Sequence, residues 1–153
     1  MNLGITNDAT DDDDPAQILT FSLTGKPLYA TFDTNSGIFN WRPQVTQANT
    51  TNAMTVVVTD NGTPSLSATQ SFKVIVNPIA APTITTPQVA GGQIGLTVNG
   101  QVGPDYAVQG SSNLVHWDTL LITNPTAMPF TWSTNTGTSP QQYYRIQVGP
   151  PLL

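Results

Sequence analysis

The chain has no cysteine and no glutamate, a single histidine and only four cations. Without cysteine there is neither a disulfide framework nor a thiolate site, and His116 alone excludes a zinc centre of the ordinary His/Cys type. The cations Lys26, Arg42, Lys73 and Arg145 are scattered through 153 residues of formal charge −5. No basic stripe is available to meet a phosphate backbone, which argues against nucleic acid as a partner. No apolar run approaches the roughly 20 residues of a membrane helix, so no membrane insertion is expected. Residues 1–15 have neither the basic flank nor the apolar centre of a signal peptide. Charged residues make up 8% of the chain, against about a quarter in ordinary soluble domains. Solubility therefore rests on Thr, Ser, Asn and Gln, a composition that leans toward an extracellular or cell-surface location.

Turn and strand chemistry fills the space left by those absences. All nine acids are Asp, which serves loops, whereas Glu would favour helices; almost no helix is expected. From Thr55 to Val76 the chain reads as a long β-hairpin. Val56 and Val58 alternate with polar neighbours, Asp60-Asn61-Gly62-Thr63-Pro64 makes the loop, and Phe72, Val74 and Val76 alternate on the return. An isolated hairpin is marginal in water, so a second sheet must cover its apolar face, which makes a β-sandwich the first inference.

Upstream, Leu3 and Ile5 alternate before the run Asp11 to Asp14 and Pro15, which reads as a loop. Leu19, Phe21 and Leu23 alternate next, Thr24-Gly25-Lys26-Pro27 turns the chain, and a short strand is expected from Tyr29 to Phe32. Thr34-Asn35-Ser36-Gly37 is a turn signal, after which Phe39 and Trp41 share one face and Pro43 ends the strand. These phases place Phe21, Phe39, Trp41, Val56, Val58, Phe72 and Val74 in one buried cluster.

Asn77-Pro78-Ile79-Ala80-Ala81-Pro82 reads as a stiff linker between modules at 1–78 and 79–153. Beyond it Ile94, Leu96 and Val98 alternate, then Tyr106 and Val108. Leu120-Leu121-Ile122 follows Trp117, then come Phe130 and Trp132, and Tyr143 to Val148 is the last strand. Six or seven short strands separated by turns again fit a sandwich.

Three segments, A-T-D-x-D-x-P-A-Q-x-L-T-F-S-L, D-x-x-S-G-x-F-x-W-x-P and V-T-D-N-G-T-P-S-L-S, follow one another in the first half. In this order they resemble the second through last strands of a cadherin-like repeat, or of the related He_PIG-type immunoglobulin-like repeat of bacterial proteins. The resemblance implies an all-β chain of two tandem immunoglobulin-like sandwiches. Such repeats usually begin with a further strand, yet only seven residues precede Asp8. The first module is accordingly expected to be a fragment, or to borrow its first strand from a neighbour. In the second half, Y-A-V-Q-G-S-S-N-L-V-H-W followed by Y-Y-R-I is similar to fibronectin-III-like modules at the ends of large secreted bacterial proteins.

Four adjacent carboxylates repel by several tenths of a kcal/mol per neighbouring pair even in water, roughly 332/(80 × 6). Calcium, which takes six to eight oxygens, is the natural counter-charge, and a solvated acidic loop is the plain alternative. In cadherin-like repeats the D-x-D after the second strand and the Asp of T-D-x-G help hold calcium at the junction with the preceding repeat. Carried over, those positions are Asp11, Asp13 and Asp60, and the register equally allows Asp12 and Asp14. The family's acidic linker is replaced here by Asn77-Pro78-Ile79-Ala80-Ala81, so calcium is not expected to bridge the two modules. A Ser-His-Asp site would need His116 and has no G-x-S-x-G elbow. Nothing places one Asp in an apolar pocket as a general acid, so no enzyme is expected. Among the tryptophans, Trp41 and Trp132 fall on inward phases, leaving Trp117 as the candidate ligand-binding residue. The resulting reading is a non-enzymatic adhesion or spacer segment of a larger extracellular protein. Its partners would be neighbouring modules or another copy of the chain. The alternatives are a carbohydrate-binding module that uses Trp117 on polysaccharide, and a filament subunit completed by strand exchange.

Overall fold

The computed structural model describes residues 2–13, 15–85, 87–137 and 141–149. The chain divides into two compact units, Met1–Pro78 and Ile79–Leu153. In the first, β1 (Leu3–Thr6), β4 (Ile38–Trp41) and β3 (Thr31–Phe32) form one sheet in the order β1-β4-β3. The second sheet, β2-β5-β6, is built from β2 (Thr20–Thr24), β5 (Thr50–Thr59) and β6 (Ser67–Val76). The hairpin starts five residues earlier than the valine alternation indicates. Its register runs unbroken from Thr50↔Val76 to Thr59↔Ser67. Threonine carries the extension, being β-branched and able to pair across strands: Thr55 and Ser71 hydroxyls meet at 2.9 Å, and Thr59 and Ser67 at 2.8 Å.

All six strands feed one core. Phe39, Trp41 and Met54 are buried with Ala30, and Leu3, Ile5, Leu23, Phe32, Phe72, Val74 and Val76 pack against them. Phe39 and Trp41 meet edge to face with centroids 6.5 Å apart. Phe21 and Val56 are buried as expected, but Val58 is only half-buried, and Met54 is the deep residue of β5 instead. The cause lies across the ladder: Val58 faces Ala68, a small side chain in a stretch of β6 exposed from Ser67 to Ser71. Such a neighbour covers little apolar surface.

The strand expected from Tyr29 is shortened to Thr31–Phe32. Tyr29 has φ 67, a left-handed conformation rare for a bulky side chain. It is held there because Trp41 Nε1 and Gln47 Nε2 both donate to the Leu28 carbonyl at 3.2 Å, while Lys26 Nζ donates to Ala30 O at 2.7 Å. Gln47 closes the only helical turn among the described residues, a 3-10 turn at Val45–Gln47. At the other turn Gly37 has φ +66, and a Cβ there would sit 2.6 Å from Asn7 O. Asn7 donates both its backbone N–H (3.2 Å) and its Nδ2 (2.6 Å) to Gly37 O.

The second unit adds β7 (Thr83–Ile84), β8 (Gln88–Ala90), β9 (Gln93–Asn99), β10 (Tyr106–Ser111), β11 (Asp118–Thr123), β12 (Phe130–Asn135) and β13 (Tyr143–Val148). One sheet is ordered β12-β9-β7, with β8 also on β9; the other is β11-β10-β13. Tyr106 of β10 against Phe130 of β12 (5.8 Å), and Trp132 of β12 against Tyr144 of β13 (5.7 Å), join the two sheets face to face. Val98, Tyr106 and Val108 are fully buried. Both units are therefore all-β and of the immunoglobulin-like sandwich kind, as expected. The short β7 and β8 escape the alternation because two or three residues carry no readable period.

Candidate functional site

The acidic run and the β5–β6 loop come together at one end of the first unit. Asp11 Oδ1 accepts the backbone N–H groups of Asp13 (3.1 Å) and Gln17 (3.0 Å). Asp13 Oδ2 accepts Gln17 Nε2 at 2.6 Å. From the other loop, Asn61 Oδ1 accepts the Ile18 N–H at 2.8 Å. The Gln17 amide lies against Gly62, where any Cβ would strike it, and its Oε1 is buried with no hydrogen-bond partner. Asp60 faces its own loop: Oδ1 accepts the N–H groups of Gly62 and Leu66, each at 3.0 Å, and its carbonyl accepts Ser65 Oγ at 3.0 Å.

Asp11 and Asp13 are thus brought together through Gln17. Asp60 is not gathered with them, since no group of three or more acidic, histidine or cysteine side chains fit for a metal occurs among the described residues. Asp12 is exposed, and Asp14 lies outside the described residues. The oxygens here are hard donors, the kind calcium takes. The inner oxygens of Asp11 and Asp60 are nevertheless committed to backbone amides, as in Asx-turns that close loops.

The loop-holding role of Asp60 makes a prediction that separates it from a ligand. Asp60→Asn keeps an Oδ1 acceptor for Gly62 and Leu66 and should leave stability within about 0.5 kcal/mol. Asp60→Ala loses both bonds and should cost about 1–2 kcal/mol in denaturant melts. A calcium-dependent rise in melting temperature that Asp60→Asn abolishes would make Asp60 a ligand instead.

Asp33, at the turn after β3, repeats the device. Its Oδ1 accepts the N–H groups of Ser36 (2.9 Å) and Asn35 (2.8 Å), which hold the carboxyl below its ordinary value of 3.8. A depressed folded-state pKa contributes stability that is present above the unfolded value and is lost as pH falls through the folded one. Melting temperature should therefore drop on acidification below pH 3.8, and drop less in Asp33→Asn. Equal acid sensitivity of the two proteins would contradict this.

Trp117 precedes β11 and is half-buried. Its indole N–H donates to Leu114 O at 3.2 Å, and Arg145 lies over the ring at 4.2 Å from the centroid. Arg145 Nε donates to Gln109 Oε1 at 2.8 Å, and Gln109 Nε2 to Thr119 Oγ1 at 3.2 Å. One indole face is therefore occupied by a guanidinium. Among the described residues the exposed large hydrophobic side chains include a single aromatic, Tyr29, so no row of open rings accompanies Trp117 there. Gln17, Asn61, Gln109 and Arg145 were not singled out by sequence. Polar partners four to 43 positions away leave no local motif, although Gln17, four residues after Asp13, was the readable one.

No helix among the described residues is long and apolar enough to cross a membrane. Residues 2–77 match a family model described as "Putative Ig domain", the immunoglobulin-like repeat that the first half resembles. No curated protein matches the chain.

Proposed function

From a first unit that is an immunoglobulin-like repeat, we propose that the chain is a non-enzymatic adhesion or spacer segment of a larger extracellular or cell-surface protein, with its second unit of the fibronectin-III kind. The observation that carries this reading is the use made of the carboxylates. Asp11, Asp33 and Asp60 each spend an oxygen on two backbone amides of a loop. Acids spent on holding loops build a rigid scaffold, whereas hydrolysis needs a facing pair with one pKa raised. Calcium binding at the Asp11–Asp13 end is weak, with Kd at or above the millimolar edge of the extracellular range. At about 1 mM calcium, linkage then adds no more than about 0.4 kcal/mol over EDTA.

The carbohydrate-binding reading rests on Trp117 and the polar row Arg145, Gln109 and Thr119 beside it. Retention on insoluble cellulose, chitin and xylan distinguishes the two readings. The adhesion or spacer reading expects no retention beyond that of an inert protein. Retention that is lost in Trp117→Ala would establish the carbohydrate-binding alternative in its place.

A further inference from the structure

Asn-Gly occurs twice in the chain, at Asn61-Gly62 and at Asn99-Gly100. Asparagine is a thermolabile residue, and a following glycine, lacking a Cβ, leaves its own amide nitrogen least hindered on the way to the asparagine side-chain carbonyl. The fold treats the two dipeptides differently. Asn99 ends β9 in register with Thr83, and at Gly100 a Cβ would lie 2.6 Å from the Tyr106 hydroxyl, which also accepts the Gln101 N–H. Turning the Gly100 nitrogen onto Asn99 would break both the ladder and that corner. Asn61 is exposed and lies in the loop between β5 and β6, outside any ladder. Its two reacting groups already have partners of the right kind. The Gly62 N–H donates to Asp60 Oδ1 at 3.0 Å, and Asn61 Oδ1 accepts the Ile18 N–H at 2.8 Å. A carboxylate within hydrogen-bond reach of a proton is placed to take it as general base. A backbone N–H on a carbonyl oxygen stabilises the negative charge that attack puts there.

We propose that Asn61 is a self-modification site, at which the loop's own groups convert the asparagine to aspartyl and isoaspartyl forms. Asp60 Oδ1 takes the Gly62 amide proton as that nitrogen bonds to Asn61 Cγ and closes a five-membered ring. The carbonyl electron pair moves to Asn61 Oδ1, under the Ile18 N–H. Collapse of that oxyanion breaks the Cγ–Nδ2 bond, and Nδ2 leaves as ammonia with the proton returned from Asp60. Water then opens the succinimide at either carbonyl, and nothing is oxidised or reduced. In the isoaspartyl product the main chain runs through Cβ and Cγ, so the oxygen that held the Ile18 N–H becomes a main-chain carbonyl. The added methylene displaces Gly62, where the Gln17 amide already fills the space a Cβ would need. The product therefore loosens the β5–β6 loop from the segment before β2. It also adds a negative charge beside Asp60, in a chain of formal charge −5.

The test ages the full chain in neutral buffer and follows Asn61 and Asn99 by peptide mass, with isoaspartyl-specific methylation to count the rearranged product. Asn61 should convert about tenfold faster than Asn99 or more, and Asp60→Asn, which keeps an acceptor for the loop amides, should slow it by about tenfold or more. In the chain unfolded in urea the two sites should react alike. Between about pH 6 and 8 the folded chain's rate at Asn61 should stay nearly level, because a fixed carboxylate replaces hydroxide as the base. The aged fraction, separated on anion exchange by its added charge, should show faster amide exchange at Ile18 than fresh protein. Equal rates at Asn61 and Asn99 in the folded chain, or a rate at Asn61 indifferent to Asp60→Asn, would overturn the proposal. So would a rate at Asn61 that follows hydroxide as steeply in the folded chain as in urea, a readout that does not depend on how the variant folds.

Discussion

Replacing Trp41 by alanine is expected to lower the stability of the first unit by about 3–5 kcal/mol, enough to unfold a small sandwich under ordinary conditions. Trp41 is 2% exposed and packs against Phe39, with residues of all six strands around it. Its removal leaves a large cavity between two sheets whose strands are fixed by their ladders, so collapse around the gap is limited. It also takes away one of the two donors to Leu28 O, loosening the loop that holds Tyr29 left-handed. Trp41→Phe retains most of the apolar volume and should cost distinctly less, which separates packing from the indole hydrogen bond. A loss below about 1 kcal/mol for Trp41→Ala in urea melts would mean that the core is not organised around this residue.

The corresponding residue of the second unit is Tyr106, fully buried at the start of β10. Tyr106→Ala should cost about 3–5 kcal/mol, like other large aromatic deletions. Its hydroxyl donates to Gln101 O at 2.7 Å and accepts the Gln101 N–H at 2.9 Å, the arrangement of the tyrosine corners found in Greek-key sandwiches. Tyr106→Phe keeps the ring against Phe130 but strands two backbone groups, a loss of about 1–3 kcal/mol. Gly100 is part of the same construction, because a Cβ there would lie 2.6 Å from the Tyr106 hydroxyl. Gly100→Ala should therefore destabilise the second unit as well. Wild-type stability in Tyr106→Phe would show that the hydroxyl bonds contribute nothing net.

Strand phase was legible wherever apolar residues alternate over four or more positions. Phe39 with Trp41, Leu96 with Val98 and Tyr106 with Val108 are all buried as their spacing requires. Depth along a strand was not. Whether Met54 or Val58 goes deepest depends on what faces it across the ladder and on where the second sheet ends, and both are tertiary facts. Tyr29 failed as a strand residue because a distant indole and a distant amide hold the neighbouring carbonyl, overriding the β preference of an aromatic. At the acidic end, the sequence placed the right residues in loops, but their bonding is set by backbone amides that composition does not reveal. The Oδ1 atoms of Asp11 and Asp60 each accept two backbone amides of their own loops. Trp117 was read as the tryptophan left for a ligand, and the Arg145 that lies over its ring comes from a strand 28 positions on (145 − 117).

Amide exchange in the unliganded full chain, resolved by residue, reads the sandwich and its open edges together. In antiparallel edge strands alternate N–H groups point away from the sheet. Exchange should therefore be slowest in the central strands β4, β5, β9 and β10, and alternate between slow and fast along β1 and β6, independently of protein concentration. Uniform slow exchange along β6, matching that of β5, would contradict the structure of the first unit as an immunoglobulin-like sandwich that ends on unpaired strands.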